Sequence, residues 1–169
     1  MKVATVAERP ELVEPAWHRT RDAMPEYNNH GARSLPIRWD GTLDDLPAGI
    51  DGALSRSFDE GAANVLCALV IAVPRDIRGQ GISAAALRAM GDIARRYGLG
   101  TLIAPVRPSW KERYPLVPIK RYASWRRPDG RLSDLWMRVH ERLGATVVKT
   151  EPRSLRITCP RPSGNPGRA

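Results

Sequence analysis

The chain has 169 residues, 42% of them hydrophobic, with 27 lysines and arginines against 18 aspartates and glutamates. That length fits one domain with a real core. No stretch approaches the roughly 20 apolar residues that cross a bilayer, and two cysteines, Cys67 and Cys159, are too few for a disulfide framework. The opening MKVATVAERPELVEP meets charges before any apolar segment of useful length, so no signal peptide and a reducing, cytoplasmic setting are expected. The net charge of +9 is uneven: residues 1–103 hold 12 basic and 13 acidic side chains, residues 104–169 hold 15 and 5. A basic half points to an anionic partner, whether nucleic acid, a phosphorylated cofactor or an acidic substrate. The plain alternative is an arginine-rich solvated face.

In chain order, residues 2–6 read as a short strand and 8–27 as a helix broken by Pro15. NNHG at 28–31 is a turn. Residues 32–39 read as a strand in which Pro36 marks an edge or a bulge, and a short helix is expected around 50–60. Residues 63–73, ANVLCALVIAV, are apolar on both faces and so form a central strand. Residues 82–97 carry apolar side chains at helical spacing and end at Gly98. Residues 101–106 form the next strand. Residues 107–130 are proline-broken, with Trp110, Tyr114, Tyr122 and Trp125 among basic residues. Ser133 or Asp134 can cap a helix over 134–143. Residues 145–150 and 153–159 look like a closing hairpin, and 160–169 like a disordered Pro/Gly tail. The domain is expected to run over 1–159, with its ligand-binding core at about 62–150.

The unit strand, glycine turn, helix, strand at 63–106 carries the chemistry. A helix N-terminus has unpaired amides and partial positive charge, which suits an anion. Gly79 and Gly81 let a phosphate approach the backbone, and Arg78 adds a forked cationic donor. A Walker A loop needs a Lys-Ser/Thr pair, which is missing. Gly79-Gln80-Gly81-Ile82-Ser83-Ala84 fits the dinucleotide pattern G-x-G-x-x-G/A formally. However, residues 74–78 separate it from the strand, and the next strand ends without an acidic residue.

VPRDIRGQGIS at 73–83 closely resembles the acetyl-coenzyme A loop of the GNAT superfamily of N-acetyltransferases, through Val73, Arg78, Gly79, Gln80 and Gly81. It departs at Asp76, usually Gln or Arg, and at Ser83, often Gly or Ala. HERLGATVV at 140–148 is similar to the later helix–strand junction of that family. Residues 104–130 and 136–149 look like a little-characterised bacterial GNAT-like branch. The resemblance implies an α/β (α+β) fold with a mixed, mostly antiparallel central sheet flanked by helices.

It further implies acetyl-CoA as cosubstrate, transfer to a small-molecule or peptide amine, and no metal. Val73 would offer its backbone to the thioester carbonyl, and Val73, Arg78, Gly79, Gln80, Gly81, Ile82 and Ser83 would bind the coenzyme. His140 stands where the family often has the tyrosine that protonates the leaving thiolate. A polar-face or core helix histidine is the plain alternative for it. Glu112, Asp129 and Asp134 read as solvated carboxylates or caps, which leaves no general base. The strap 107–130 reads as an amine-pocket wall, an anion-binding surface, or a crossover packing its aromatics on the sheet.

Relatives of that branch usually have two further early strands and continue past the last strand found here, so the substrate half reads as shortened. A coenzyme-binding or interaction module without turnover is therefore the alternative function. A hydrolase using Ser83, Asp134 and His140 fits in chain order, but Ser83 stands ten residues past Val73 rather than at the strand end. The basic half also admits a nucleic-acid binder, a less favoured reading. No membrane partner is expected, and the oligomeric state is left open, a dimer included.

Overall fold

The computed structural model describes residues 31–152. The strand expected at 2–6, the helix at 8–27, most of the turn at 28–31, the strand at 153–159, Cys159 and the tail at 160–169 lie outside the described residues. The described elements run β1 (Gly31–Ile37), α1 (Gly49–Arg56), β2 (Val65–Ala72), α2 (Ile82–Arg96), β3 (Thr101–Ile103), α3 (Ile119–Ala123) and α4 (Leu135–Arg142), with single 3-10 turns at Arg75–Ile77 and Lys111–Arg113. They form a mixed α+β fold around a three-stranded sheet in the order β1-β2-β3, with β1 antiparallel and β3 parallel to β2.

The apolar run at 63–73 forms the central strand because both of its faces are covered. Leu66 and Ala68 pack against Leu87, Met90 and Ala94 of α2, joined by Trp136 and Val139 of α4. Val65 and Cys67 turn the other way, onto Ile37 of β1 and Ala53 of α1. The period-two alternation of a strand thus feeds two separate clusters. Cys67 is 1% exposed, and burial pushes its thiol up to about 11.

Pro36 sits on β1, which has β2 as its sheet neighbour among the described residues, as expected of a proline without a ladder donor. The bulge lies elsewhere. Arg33 faces Val70 and Ser34 faces Ala68, so Leu69 is the extra residue on β2. Before it β2 is buried, and after it half-buried, in keeping with the bend a bulge imposes.

Two expectations are corrected. The strand read at 101–106 stops at Ile103, because β2 pairs with it only over Val65–Cys67. Residues 145–150 form no strand; Val147 and Val148 are exposed, and no described strand runs alongside to pair with them. Within the proline-broken strap 107–130 lies α3, and Arg126 meets Leu132, just beyond the strap, in an antiparallel bridge.

Candidate functional site

β2 continues from Ala68 to Ala72 after its last pair with β3, Cys67 with Ile103. On that side the five residues have no strand partner among the described residues, while β1 pairs their other side up to Ala72. The result is an open strand edge that leads straight to Val73 and Pro74. Pro74 caps the 3-10 turn Arg75–Ile77, after which Arg78 is extended and Gly79 and Gly81 take φ of 84° and 76°. Those angles suit glycine and strain other residues. Gly81 is the N-cap of α2 and offers no side chain to its amides. The first amide of the helix to find a backbone acceptor is that of Ala85, on the Gly81 carbonyl at 3.0 Å. Among the described residues the N–H groups of residues 79–84 donate to no backbone oxygen.

This turn therefore combines unpaired amides, a helix-dipole N-terminus and room above it. A Cβ built on Gly79 or Gly81 would meet nothing within 4 Å. Arg78 is folded back, its Nε–H donating to the Val73 carbonyl at 3.0 Å. Of the residues singled out from the sequence, the structure thus joins Val73 and Arg78 directly. It places Gly79, Gln80, Gly81, Ile82 and Ser83 in one turn-and-helix start. A cavity of about 390 Å³ opens elsewhere, lined by Arg126, Leu132, Glu141 and residues 144–147. The glycine turn is an open ledge, which suits a long ligand laid along an edge better than one swallowed by a pocket.

His140 belongs to α4. Its Nδ1 lies 3.0 Å from the Trp136 carbonyl, one helical turn back, and its ring meets that of Trp136 edge-on with centroids 4.4 Å apart. A carbonyl only accepts, so Nδ1 carries the proton and Nε2 keeps a lone pair in the neutral ring. Burial pulls the imidazole below its ordinary value, opposed by the hydrogen bond to Trp136. A histidine of depressed pKa stabilises the fold fully above its unfolded value, and that contribution is lost as pH falls through the folded value. Replacing His140 by Phe is therefore expected to reduce the loss of melting temperature on acidification below about pH 6.5. Parallel melting curves for the two proteins from neutral to mildly acidic pH would contradict this.

Beyond the reach of pattern reading, the strap is organised by one carboxylate. Asp134 caps α4, its Oδ1 accepting from the amides of Trp136 at 3.0 Å and Met137 at 3.1 Å. Its Oδ2 accepts from the Trp110 amide at 3.0 Å and the Tyr122 hydroxyl at 2.8 Å. The residue is 3% exposed. It is a cap, as expected, but a buried one rather than a solvated carboxylate. Burial raises its carboxyl, and the Met137 and Trp110 amides with the Tyr122 hydroxyl outweigh that and hold it below the usual range. Tyr114, Tyr122 and Trp125 pack on one another, tilted or edge to face, at centroid distances of 4.9 to 5.8 Å, and Arg113 lies over the Trp110 ring at 5.5 Å. The sequence signal for this hub was the cap position alone. No group of side chains able to hold a metal occurs among the described residues, and none of their helices is long and apolar enough to cross a membrane.

No protein-family model matches the chain. Over 128 residues the chain is 31% identical to the arginine N-acetyltransferase avaD of Aspergillus versicolor, a match covering 68% of this chain and 44% of that protein. The loading GNATL domain of CurA from Lyngbya majuscula, known from its crystal structure, superposes with a TM-score of 0.60 at 20% identity, over 72% of this chain and 59% of that one. The chain has a GNAT-like fold. In sequence it is related to an N-acetyltransferase, which is fungal, whereas the motifs resemble a bacterial branch. The chain spans less than half the length of that curated relative. Within the GNAT-like frame, β2 is the strand that leads into the glycine turn, and α2 is the helix whose N-terminus the turn exposes.

Proposed function

We propose that the chain is an acetyl-CoA-dependent N-acetyltransferase acting in the cytoplasm. The observation that carries the reading is the open edge of β2 over 68–72 running into the unpaired amides of 79–84. A pantetheine arm carries amide groups and can extend that edge as a strand would. A diphosphate matches the amides and dipole at the start of α2. Pro74 has no N–H, so strand-like pairing ends where phosphate binding begins. The backbone around Val73 then lies beside the thioester and polarises its carbonyl. The amine nitrogen bonds to the acetyl carbon, the carbon–sulfur bond breaks, and the thiolate takes a proton as the amine loses one. Holding the two reactants together supplies most of the rate in such a site.

Arg78 must leave the Val73 carbonyl to reach a phosphate, a small rearrangement because that hydrogen bond is exposed. His140 would act as the proton donor to the thiolate only after its Nε2 had taken up a proton. The relative named for arginine makes arginine the first acceptor to try. The second reading, a coenzyme-binding module without turnover, is favoured by the attachment of His140 to its own helix. Calorimetric titration with acetyl-CoA, followed by measurement of free thiol with and without arginine, separates the readings. Binding and amine-dependent thiol release are expected. Binding alone would leave a module, and no heat at millimolar acetyl-CoA would end both.

A further inference from the structure

The strap ends in a tip that the acetyl-transfer reading does not use. Residues 110–122 read WKERYPLVPIKRY, six apolar or aromatic residues between Lys111-Glu112-Arg113, which carries one net positive charge, and a cationic pair, Lys120 and Arg121. The Val117 amide bonds the Tyr114 carbonyl at 3.2 Å, closing a turn with Pro115 and Leu116 at its apex. Leu116 is 95% exposed and Tyr114 43%; Pro115 and Pro118 are also exposed. The base is held in place, because the Tyr114 ring packs tilted against Tyr122 and edge to face with Trp125, and Lys111 Nζ ties back to the Tyr114 carbonyl at 2.8 Å. A single exposed leucine is ordinary, but here Leu116 stands between exposed prolines and an exposed tyrosine on one turn, with cationic side chains on both sides.

We propose that this tip docks the protein on an anionic lipid surface, with Leu116 and Pro115 entering the acyl boundary and Tyr114 at the headgroup level. Lys111, Arg113, Lys120 and Arg121 would lie over the lipid phosphates. Lys120 and Arg121 are exposed and have no ion-pair partner among the described residues. Aromatic and cationic side chains take this order of depth at a membrane interface, and long cationic stems reach back to the headgroups. The tip is convex and one turn wide, far short of the roughly 800 Å² per side that a stable protein complex buries. Single-stranded nucleic acid needs free ring faces, yet the Tyr114, Tyr122 and Trp125 rings pack on each other and Arg113 covers Trp110. The cytoplasmic leaflet supplies the matching charge. The proposal stands whether or not the chain transfers acetyl groups.

Co-sedimentation of the full chain with phosphatidylcholine vesicles, with and without about 30 mol% phosphatidylserine, tests it. Binding is expected to the anionic vesicles alone and to weaken with added salt. Leu116→Glu should lower partition at least about tenfold, Leu116→Phe should preserve it, and Lys120→Glu with Arg121→Glu should lower it at least about thirtyfold. These surface changes should leave the melting temperature nearly unmoved, confirming intact folds. Wild-type protein that stays in the supernatant would overturn the proposal. So would binding that Leu116→Glu leaves intact, which would be charge adsorption without insertion. Binding to polyglutamate or oligothymidylate that shows the same variant losses, without vesicle partition, would reassign the tip to a protein or a nucleic acid.

Discussion

Replacing Asp134 by alanine is expected to cost the fold about 4 kcal/mol and to lower the melting temperature by about 10 °C. Four donors lose their acceptor at once: the Trp110, Trp136 and Met137 amides and the Tyr122 hydroxyl. The two helix amides account for a lost N-cap, typically about 1 kcal/mol. The Tyr122 hydroxyl is buried and the Trp110 amide half-buried, so each is left unsatisfied at about 1–3 kcal/mol. Asp134→Asn should lose about half as much. Its carbonyl can still cap α4, but its amide group then faces two donors. Tyr122→Phe should lose about 1 kcal/mol, since the carboxylate keeps three donors. Because the native carboxyl sits low, its contribution holds above the unfolded value near pH 3.9 and fades only as pH falls through the folded one. Denaturant titration reads all three variants. An Asp134→Ala loss under about 1 kcal/mol would mean that the strap is held by its aromatic stack instead.

The same residue shows why parts of this fold could be read from the sequence and parts could not. β2 and α2 announce themselves because their signals are local and periodic. The unbroken apolar run at 63–73 must cover two faces, and the helical spacing at 82–97 makes one stripe, which Leu87, Met90 and Ala94 bury. The glycine turn is legible for a similar reason, since a strand, a proline and two closely spaced glycines dictate what the backbone must do there. The strap obeys no period. Its order comes from a contact across 24 residues, Trp110 to Asp134, and from rings that tertiary packing around α3 brings together. The stretch at 145–150 shows the opposite failure. Ala145 to Thr150 has strand-forming composition, but a strand also needs a neighbour, and among the described residues none pairs with it. His140 was visible as a residue type in a suggestive place. That its Nδ1 would turn to Trp136 depends on a rotamer, which no sequence pattern encodes.

Arg78→Glu is expected to weaken acetyl-CoA binding at least about tenfold, about 1.4 kcal/mol, while leaving the stability of the unliganded protein nearly unchanged. Arg78 is exposed, and its side chain's hydrogen bond among the described residues is the exposed one to the Val73 carbonyl, so its removal from the free protein costs little. In the complex a carboxylate would stand beside a diphosphate, turning a charge-assisted donor into a repulsion. The salt dependence should change with it: raising ionic strength should weaken the wild-type complex more than the variant complex, because screening opposes the attraction in one and the repulsion in the other. Gly81→Ala tests the backbone half of the same cradle and should behave differently. Its Cβ would meet no atom within 4 Å, so no clash arises, but φ of 76° strains an alanine by about 1–2 kcal/mol. That variant should lose stability and bind more weakly only as far as the turn shifts. Calorimetry on both variants distinguishes side-chain charge from amide geometry. An unchanged dissociation constant for Arg78→Glu at low salt would place the diphosphate away from this turn, and the open edge of β2 would then need another occupant.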